Sequence, residues 1–262
     1  MATVSVNTWA EFVAAVAVSG DTVVCPEGAV WDMNEIAPEG VAGFQVNCAE
    51  VHGNGTEIKN LRLQSGITLA GNAAQTVDAL HLTNLICETG APFGCTASVG
   101  TTARFSGCKF SGILPQNAQY FCTVSRKNAY FSRCSFALEY GYSSSSAAAI
   151  SQTSASLTLC RVYVQLPNGS LFYHYATWSY VRIDCPAMRN LYIINGAANV
   201  YDGDLPQLTG VIGTASAAYP SVYNADSMPD FAGATNVIGV TEAQLRDATY
   251  LASIGFPIGV EV

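Results

Sequence analysis

The chain has 262 residues, of which 50% are hydrophobic and 11% are charged, and its net charge is −8. With 11 Lys and Arg residues against 19 Asp and Glu residues, the composition argues against binding to nucleic acid or to an anionic membrane, because both need a cationic surface. Ordinary soluble domains have roughly a quarter of charged residues. The surface of this chain must therefore consist largely of Ser, Thr, Asn, Gly and Ala.

The N-terminus has no basic region followed by an apolar run, so we predict that the chain has no signal peptide and is made in the cytoplasm. A membrane-spanning helix needs an apolar stretch of about 18 residues or more. No uninterrupted stretch of the sequence approaches that length, so we predict no membrane insertion.

Residues 8–18 predict an amphipathic helix. Thr8 and Glu11 have the spacing of a capping box, and apolar residues follow at intervals that place them on one helix face. Because an open coil of strands has an exposed first edge, we interpret this helix as its lid. The apolar residues are Trp9, Phe12, Val13 and Val16.

Residues 21–70 contain short β-prone runs separated by Gly and Pro, which predicts the first turns of a coil. His52 precedes Gly53-Asn54-Gly55, a glycine loop that invites comparison with a catalytic loop. The Asn-Gly pair favours positive φ angles, so we interpret the segment as a tight turn between strands.

Three lines of residues recur at an interval of 26 between residues 103 and 162. Each copy reads apolar, two residues, Cys, one residue, apolar, and polar residues alternate with the apolar ones as in a β-strand. A fixed interval of this length without a recurring helix is typical of stacked strands. We therefore predict an all-β fold, a right-handed single-stranded parallel β-helix. The lines are Phe105, Phe131 and Leu157; Cys108, Cys134 and Cys160; and Phe110, Phe136 and Val162.

Residues 77–102 predict a looser copy, in which Leu82, Leu85 and Cys87 take the Phe, Cys and Phe positions. An inward column of cysteines would act as small apolar filler, and Cys95 and Cys122 would stack in the same way on a second face. Mostly reduced thiols indicate a reducing compartment. The predicted column contains Cys87, Cys108, Cys134, Cys160 and Cys185.

The regular interval is lost after about residue 182, which predicts that the β-helix with its lid occupies residues 1–195. Residues 196–262 are predicted to form an extended arm that contains a short helix at 241–253. Thr241 and Gln244 have the spacing of a second capping box at the start of this helix.

Acidic residues are few along the coil and do not share one column, whereas glycoside cleavage needs a pair of carboxylates. No catalytic residue is therefore predicted. Asp202-Gly203-Asp204 lacks the further carboxylates of a Ca²⁺ loop, and the Cys and His spacings do not form a zinc site, so we expect no metal and no cofactor. The acidic residues are Asp78, Glu88, Glu139 and Asp184.

Two groups of residues are candidates for a ligand or an interface. Arg104, Tyr130, Ser156 and Arg182 recur at the same regular interval on the outward side, where they would line a groove or simply meet solvent. The second group is aromatic, and exposed aromatic rings stack on sugars or anchor subunit interfaces; the alternative is stacking inside the coil. The second group contains Tyr140, Tyr142, Tyr163, Tyr173, His174, Tyr175, Trp178 and Tyr180.

The segment from Thr8 through Gly20-Asp21-Thr22-Val23 resembles the start of pectin-lyase-like β-helix proteins, in which a capping helix leads into the first strand. Tyr223-Asn224-Ala225-Asp226, followed by Thr241 to Leu245, is similar to the closing segment of bacterial and phage surface β-helices. The first resemblance, together with the repeats, implies a β-helix over residues 3–195. It leaves the activity open, because this fold hosts lyases, hydrolases, adhesins and phage spikes.

The leading prediction is a non-enzymatic structural protein on the surface of a phage virion, such as a capsid decoration, fibre or receptor-binding subunit, made in the host cytoplasm. Its partners would be other virion proteins and a cell-surface glycan. Low charge predicts a homo-oligomer, with a trimer favoured, unless the flanks of the coil are simply rich in Ser and Thr. The alternatives are a polysaccharide lyase or glycoside hydrolase of the same fold, and a bacterial adhesin.

Overall fold

The computed structural model describes residues 1–95, 102–114, 120–124, 128–140, 148–151, 155–165, 170–172, 176–179, 181–184, 221–226 and 237–256. Within these residues the chain forms three parallel sheets and four helices. The helices are α1 (Trp9–Val16), α2 (Met33–Ile36), α3 (Glu242–Arg246) and α4 (Ala248–Ser253).

Each sheet is built from strands of successive turns of the coil. Sheet A contains β1 (Thr3–Ser5), β2 (Thr22–Val24), β5 (Glu50–His52), β9 (Gln75–Asp78), β12 (Thr102–Ser106), β15 (Asn128–Ser132), β18 (Ala155–Thr158) and β21 (Ala176–Ser179). Sheet B contains β3 (Val30–Asp32), β6 (Glu57–Lys59), β10 (His81–Cys87), β13 (Lys109–Leu114), β16 (Ser135–Tyr140), β19 (Arg161–Gln165), β22 (Arg182–Asp184), β23 (Ser221–Asn224) and β24 (Val237–Val240), and β7 (Arg62–Leu63) also pairs with β10. Sheet C contains β4 (Gln45–Val46), β8 (Ile67–Leu69), β11 (Phe93–Cys95), β14 (Cys122–Val124), β17 (Ala148–Ser151) and β20 (Ser170–Phe172).

From β2 to β22 the chain visits sheets A, B and C in turn and then returns to sheet A one strand further along. The strand pairs within each sheet are parallel. This arrangement is a parallel β-helix, which confirms the predicted fold class.

The regular interval aligns the inward phenylalanines as predicted. Phe105 pairs in register with Phe131 and Phe131 with Leu157, while Phe110 pairs with Phe136. The rings of Phe105 and Phe131 stack with centroids 4.9 Å apart and planes 11° apart. Such stacking adds to the burial of apolar area that drives folding.

The central part of the predicted cysteine column is confirmed. Cys108, Cys134 and Cys160 are fully buried, and each follows a corner residue with positive φ, for example Arg133 at 55°. The Cys134 Sγ atom lies 3.4 Å from the Phe105 carbonyl oxygen and 3.4 Å from the Ser132 one, so its S–H is a weak donor inside the corner. Burial raises the pKa of Cys134, which keeps the thiol protonated.

The assignment of Cys87 to this column is wrong. Because His81 aligns with Lys109, the preceding Leu80 takes the position of Cys108, and Cys87 lies at the far end of β10 opposite Leu63. The looser copy is therefore shifted by several residues from the predicted alignment. Its inward residues are Val77, which aligns with Phe105, and Leu82, which aligns with Phe110.

Two further predictions concerned the stacking of Cys95 with Cys122 and the place of Cys185 in the inward column. Cys122 aligns with Phe93 and not with Cys95, although the two sulfur atoms are 3.6 Å apart. Arg161 aligns with Arg182, the first residue of β22. The residue before β22, Val181, therefore takes the next position after Cys160 in the inward column. Cys185 lies outside the described residues.

The N-terminal lid has the predicted capping box. Thr8 accepts a hydrogen bond from the Glu11 backbone N–H, and the Glu11 carboxylate accepts one from the Thr8 backbone N–H at 3.2 Å. The helix buries Trp9 and Phe12, and both rings contact Trp31 of β3. The lid thus continues the apolar interior beyond the first strands.

The predicted C-terminal arm contributes two strands to the coil. β23 pairs with β22 and β24 pairs with β23, so sheet B extends beyond residue 195. The helix predicted at 241–253 is divided by Asp247, whose carboxylate caps α4 by accepting from the Thr249 and Tyr250 backbone N–H groups. A small apolar cluster closes this end, formed by Val222, Val240, Leu245, Leu251 and Phe256.

An apolar cavity of about 30 Å³ lies inside the coil, where the Val- and Leu-lined turns meet the Phe-lined ones. Val77 borders it and aligns with Phe105.

We expect Val77→Ile to raise the free energy of unfolding by about 0.5–1.5 kcal/mol, because one more methylene group fills unoccupied apolar space. Urea denaturation measures the change. Val23→Ile, inward on sheet A but away from the cavity, should give no gain; equal gains would show that the cavity is not the cause.

Candidate functional site

The outward face of sheet A presents a column of polar residues, one from each of the six neighbouring strands from β2 to β18. Val51, Val77 and Phe105 are buried, so their neighbours along each strand point outward. Arg104 aligns with Tyr130, and Tyr130 aligns with Ser156. The structure therefore places three of the four residues of the predicted outward column side by side. In chain order the column contains Thr22, Glu50, Thr76, Arg104, Tyr130 and Ser156.

Arg182 does not belong to this column, which corrects the prediction. Ser156 aligns with Thr177, because this circuit of the coil is shorter than the preceding ones. A step of the regular interval from Ser156 therefore passes Thr177 and reaches sheet B, where Arg182 aligns with Arg161. The Arg182 guanidinium donates to the Leu245 carbonyl at 3.2 Å and lies 5.4 Å from the Phe256 ring centroid, so it holds the C-terminal helices against the coil.

Arg104 and Tyr130 form a cation–aromatic pair at the centre of the face. The guanidinium carbon lies 5.8 Å from the Tyr130 ring centroid, within the range in which a ring face attracts a cation. Arg104 also donates to the Thr102 hydroxyl at 2.9 Å, which fixes its direction. Tyr130 remains 38% exposed. The pair thus offers an oriented aromatic surface and charged donors to solvent.

A second outward column runs beside the first. It begins with His52 and Asp78 and continues with hydroxyl side chains. Since strands of a sheet lie about 4.8 Å apart, the hydroxyl groups form a ladder with that repeat. The hydroxyl residues are Ser106, Ser132 and Thr158.

At the N-terminal side of this face, His52 lies between two carboxylates. Its Nε2 atom is 3.4 Å from Glu50 Oε2 and its Nδ1 atom is 4.0 Å from Asp78 Oδ2. The Thr22 hydroxyl donates to Glu50 Oε2 at 3.2 Å. All three ionisable side chains are about half exposed, so solvent screens their interactions.

This cluster was not predicted from the sequence, because His52 was assigned to a turn and Glu50 to no strand of the coil. A signal was present: the step from Glu50 to Thr76 and the step from His52 to Asp78 both equal the interval of the later repeats. The imidazole separates the two carboxylates. Within the described part of the chain, no three His, Cys, Asp or Glu residues are placed to hold a metal ion.

The predicted aromatic group is divided by the fold. Tyr140 is 5% exposed, and burial raises its pKa well above the ordinary value, so it faces the interior and cannot meet an external ligand. Tyr163 is 38% exposed on sheet B, and its hydroxyl accepts from Gln165 Nε2 at 2.7 Å. Trp178 aligns in register with Leu157. Tyr142, Tyr173, His174, Tyr175 and Tyr180 lie outside the described residues.

The outward column of sheet B contains Glu57, His81 and Lys109 in register. Partial burial and the nearby Lys109 lower the pKa of His81 from 6.5, against smaller opposing effects of a hydrogen bond to the Gly107 backbone and of Glu57. The native state thus binds fewer protons than the unfolded chain, so stability should fall as the pH decreases through 6.5 towards the lowered pKa. His81→Gln should reduce this loss, measured as urea midpoints between about pH 7.5 and 5. An unchanged pH profile would contradict the prediction.

The fold and its outward face define a parallel β-helix protein that carries a polar strip of charged, aromatic and hydroxyl side chains. Comparisons with protein-family models, with curated proteins and with solved structures find no match to the chain. Among the residues that the structure describes, every helix is too short or too polar to cross a membrane.

Proposed function

We propose that the chain is a non-enzymatic structural protein of a phage virion surface, in which the outward face of sheet A binds a glycan. The observation that carries the proposal is the Arg104–Tyr130 pair, with its exposed ring on a flat sheet. An aromatic ring stacks on the apolar face of a sugar, and a guanidinium donates to its hydroxyl groups.

The surroundings of the pair suit a polyhydroxylated ligand. Ser106 and Ser132 supply hydroxyl groups beside Arg104 and Tyr130, and Thr76 lies on the strand before them. Each hydroxyl both donates and accepts hydrogen bonds, as the hydroxyl groups of a sugar do. A flat face that repeats every strand favours an extended chain over a small compact ligand.

The virion location rests on the sequence. The opening segment resembles pectin-lyase-like β-helices, and the closing segment around Tyr223 to Asp226 resembles that of bacterial and phage surface β-helices. Only 11% of the residues are charged, and charged residues are depleted in the cores of subunit interfaces. The composition therefore favours a surface that neighbouring subunits partly cover. We therefore place the protein as a decoration, fibre or receptor-binding subunit in a homo-oligomer, with a trimer favoured.

Glycan binding can be tested with an array of neutral bacterial surface oligosaccharides, followed by calorimetry on any that bind. Tyr130→Ala should weaken binding at least about tenfold, the loss of roughly 1.4 kcal/mol of contact. Tyr163→Ala is the matched control, since its ring is equally exposed but lies on sheet B. An array without any hit, or equal effects of the two substitutions, would refute the assignment of this face. Mass spectrometry of purified particles tests the virion location separately.

A second candidate function is polysaccharide cleavage by a hydrolase or lyase of this fold. The observation that favours it is the position of His52 between the Glu50 and Asp78 carboxylates, because acid–base catalysis uses such groups. Turnover on a panel of acidic and neutral polysaccharides would support it, provided that Glu50→Gln and Asp78→Asn abolish the activity. Binding without turnover supports the structural role.

A further inference from the structure

We propose that the corner between sheets A and B, over strands β13 to β19, binds an acidic polysaccharide through Lys109, Arg133 and Arg161. This surface is distinct from the Arg104–Tyr130 face, and the inference does not depend on the glycan site proposed there. We call it the basic corner.

The register brings the three cations together. Lys109 aligns with Ser135, and Ser135 aligns with Arg161, so the column crosses three successive strands. Arg133 precedes Ser135 by two residues, at the corner where the chain turns from sheet A into sheet B. At about 4.8 Å between strands, the Cα atoms of Lys109 and Arg161 are roughly 10 Å apart.

The three side chains reach solvent, where a ligand can meet them. Lys109, Arg133 and Arg161 are all exposed. Neither Lys109 nor Arg133 forms an ion pair within the part of the chain that the structure describes. Two acidic residues lie near the corner: Glu139 on β16, four residues beyond Ser135 and so roughly 13 Å along the strand, and Glu57, two strands before Lys109 and so roughly 10 Å from it.

The charge of the whole chain is distributed unevenly along the coil. Residues 1–95 contain ten acidic and two basic residues, whereas residues 102–184 contain seven basic and two acidic ones. The net charge of −8 therefore conceals a positive central stretch. A local cationic surface is therefore compatible with the acidic composition of the whole chain.

Charge density favours a polysaccharide over nucleic acid as the partner. Duplex DNA carries one negative charge per about 1.7 Å of its axis, so several phosphates would face three cations over roughly 10 Å. A longer polyanion would also extend over the acidic turns of residues 1–95. A polysaccharide with widely spaced carboxylate or sulfate groups matches the separate cations, and its hydroxyl groups can bond to Ser135 between them.

The test uses the intact chain with three probes: polygalacturonate oligomers, hyaluronate oligomers and a single-stranded oligonucleotide of equal charge. Calorimetry should show that Lys109→Gln with Arg161→Gln weakens polysaccharide binding at least tenfold. The affinity of the unsubstituted protein should also fall steeply between about 50 and 200 mM salt. Arg133→Asn should weaken binding as well, and Asn tolerates the positive φ of this corner.

Two controls separate this proposal from the glycan site on sheet A. Lys59→Gln removes a cation from sheet B outside the basic corner and should leave binding of the acidic polysaccharide unchanged. The double variant should keep the affinity of the unsubstituted protein for any neutral oligosaccharide that binds the face of sheet A. Three results would overturn the proposal: no binding of either polysaccharide, equal effects of Lys59→Gln and the double variant, or tighter binding of the oligonucleotide. Self-association at low salt that the double variant abolishes would also overturn it, because the occupant would then be a second copy of the chain.

Discussion

Replacement of Phe131 by alanine is expected to lower the free energy of unfolding by about 3–5 kcal/mol. Phe131 is 1% exposed and lies in the middle of the inward column, with Phe105 stacked on one side and Leu157 aligned on the other. Its ring also meets Phe136 across the interior at 5.3 Å. Truncation therefore leaves a cavity that neighbours from three strands border, and a close-packed interior relaxes only partly into such a space.

The adjacent residue supplies the control for this prediction. Tyr130 lies on the same strand but points outward, so Tyr130→Ala should lower the free energy of unfolding by at most about 1 kcal/mol, mainly through the loss of its pair with Arg104. Urea denaturation, followed by circular dichroism, measures both variants. Similar losses for the two substitutions would contradict the inward and outward assignment of β15, and with it the stacked interior.

Gly112→Ala is expected to lower the free energy of unfolding by about 2–4 kcal/mol. Gly112 aligns with Leu85, where β10 contains a bulge. A Cβ atom at this position would lie 2.0 Å from the Leu85 carbonyl oxygen and 2.5 Å from the Leu85 nitrogen. Because both are backbone atoms of the neighbouring strand, the contact can be relieved only by separating β10 from β13.

Gly90→Ala distinguishes this steric effect from the general cost of a positive φ. Gly90 has a φ of 73°, but no atom lies within 4 Å of its added Cβ. Its substitution should cost only about 1 kcal/mol, from the left-handed backbone conformation. Thermal denaturation compares the two variants. If Gly112→Ala is no worse than Gly90→Ala, the close approach of the strands at the bulge is not a constraint.

The fold was predictable where successive circuits have equal length. From Phe105 through Phe131 to Leu157 the circuits are equal, so counting along the sequence gives the same pairs as the hydrogen-bond register. The prediction failed at both ends of this stretch. The circuit from Val77 to Phe105 is longer and the circuit from Leu157 to Trp178 is shorter, so a fixed interval gives the wrong register there.

The candidate sites were less predictable than the fold, for a physical reason. A site on a β-helix is formed by residues of different strands, and its composition depends on the register between them. Arg182 was predicted to lie on the face of sheet A. It lies on the following strand, in sheet B, where it contacts Phe256. The same difficulty hid the approach of His52 to Asp78, and only Arg104, Tyr130 and Ser156 were grouped correctly.

The order of the circuits has a consequence for biosynthesis. Each strand of sheet A contacts the strand laid down one circuit earlier, so the partners emerge from the ribosome in close succession. The coil can consequently grow from the helix α1 towards the C-terminus while translation continues, without waiting for a distant segment. A nascent chain arrested after residue 140 should already protect its first circuits from protease.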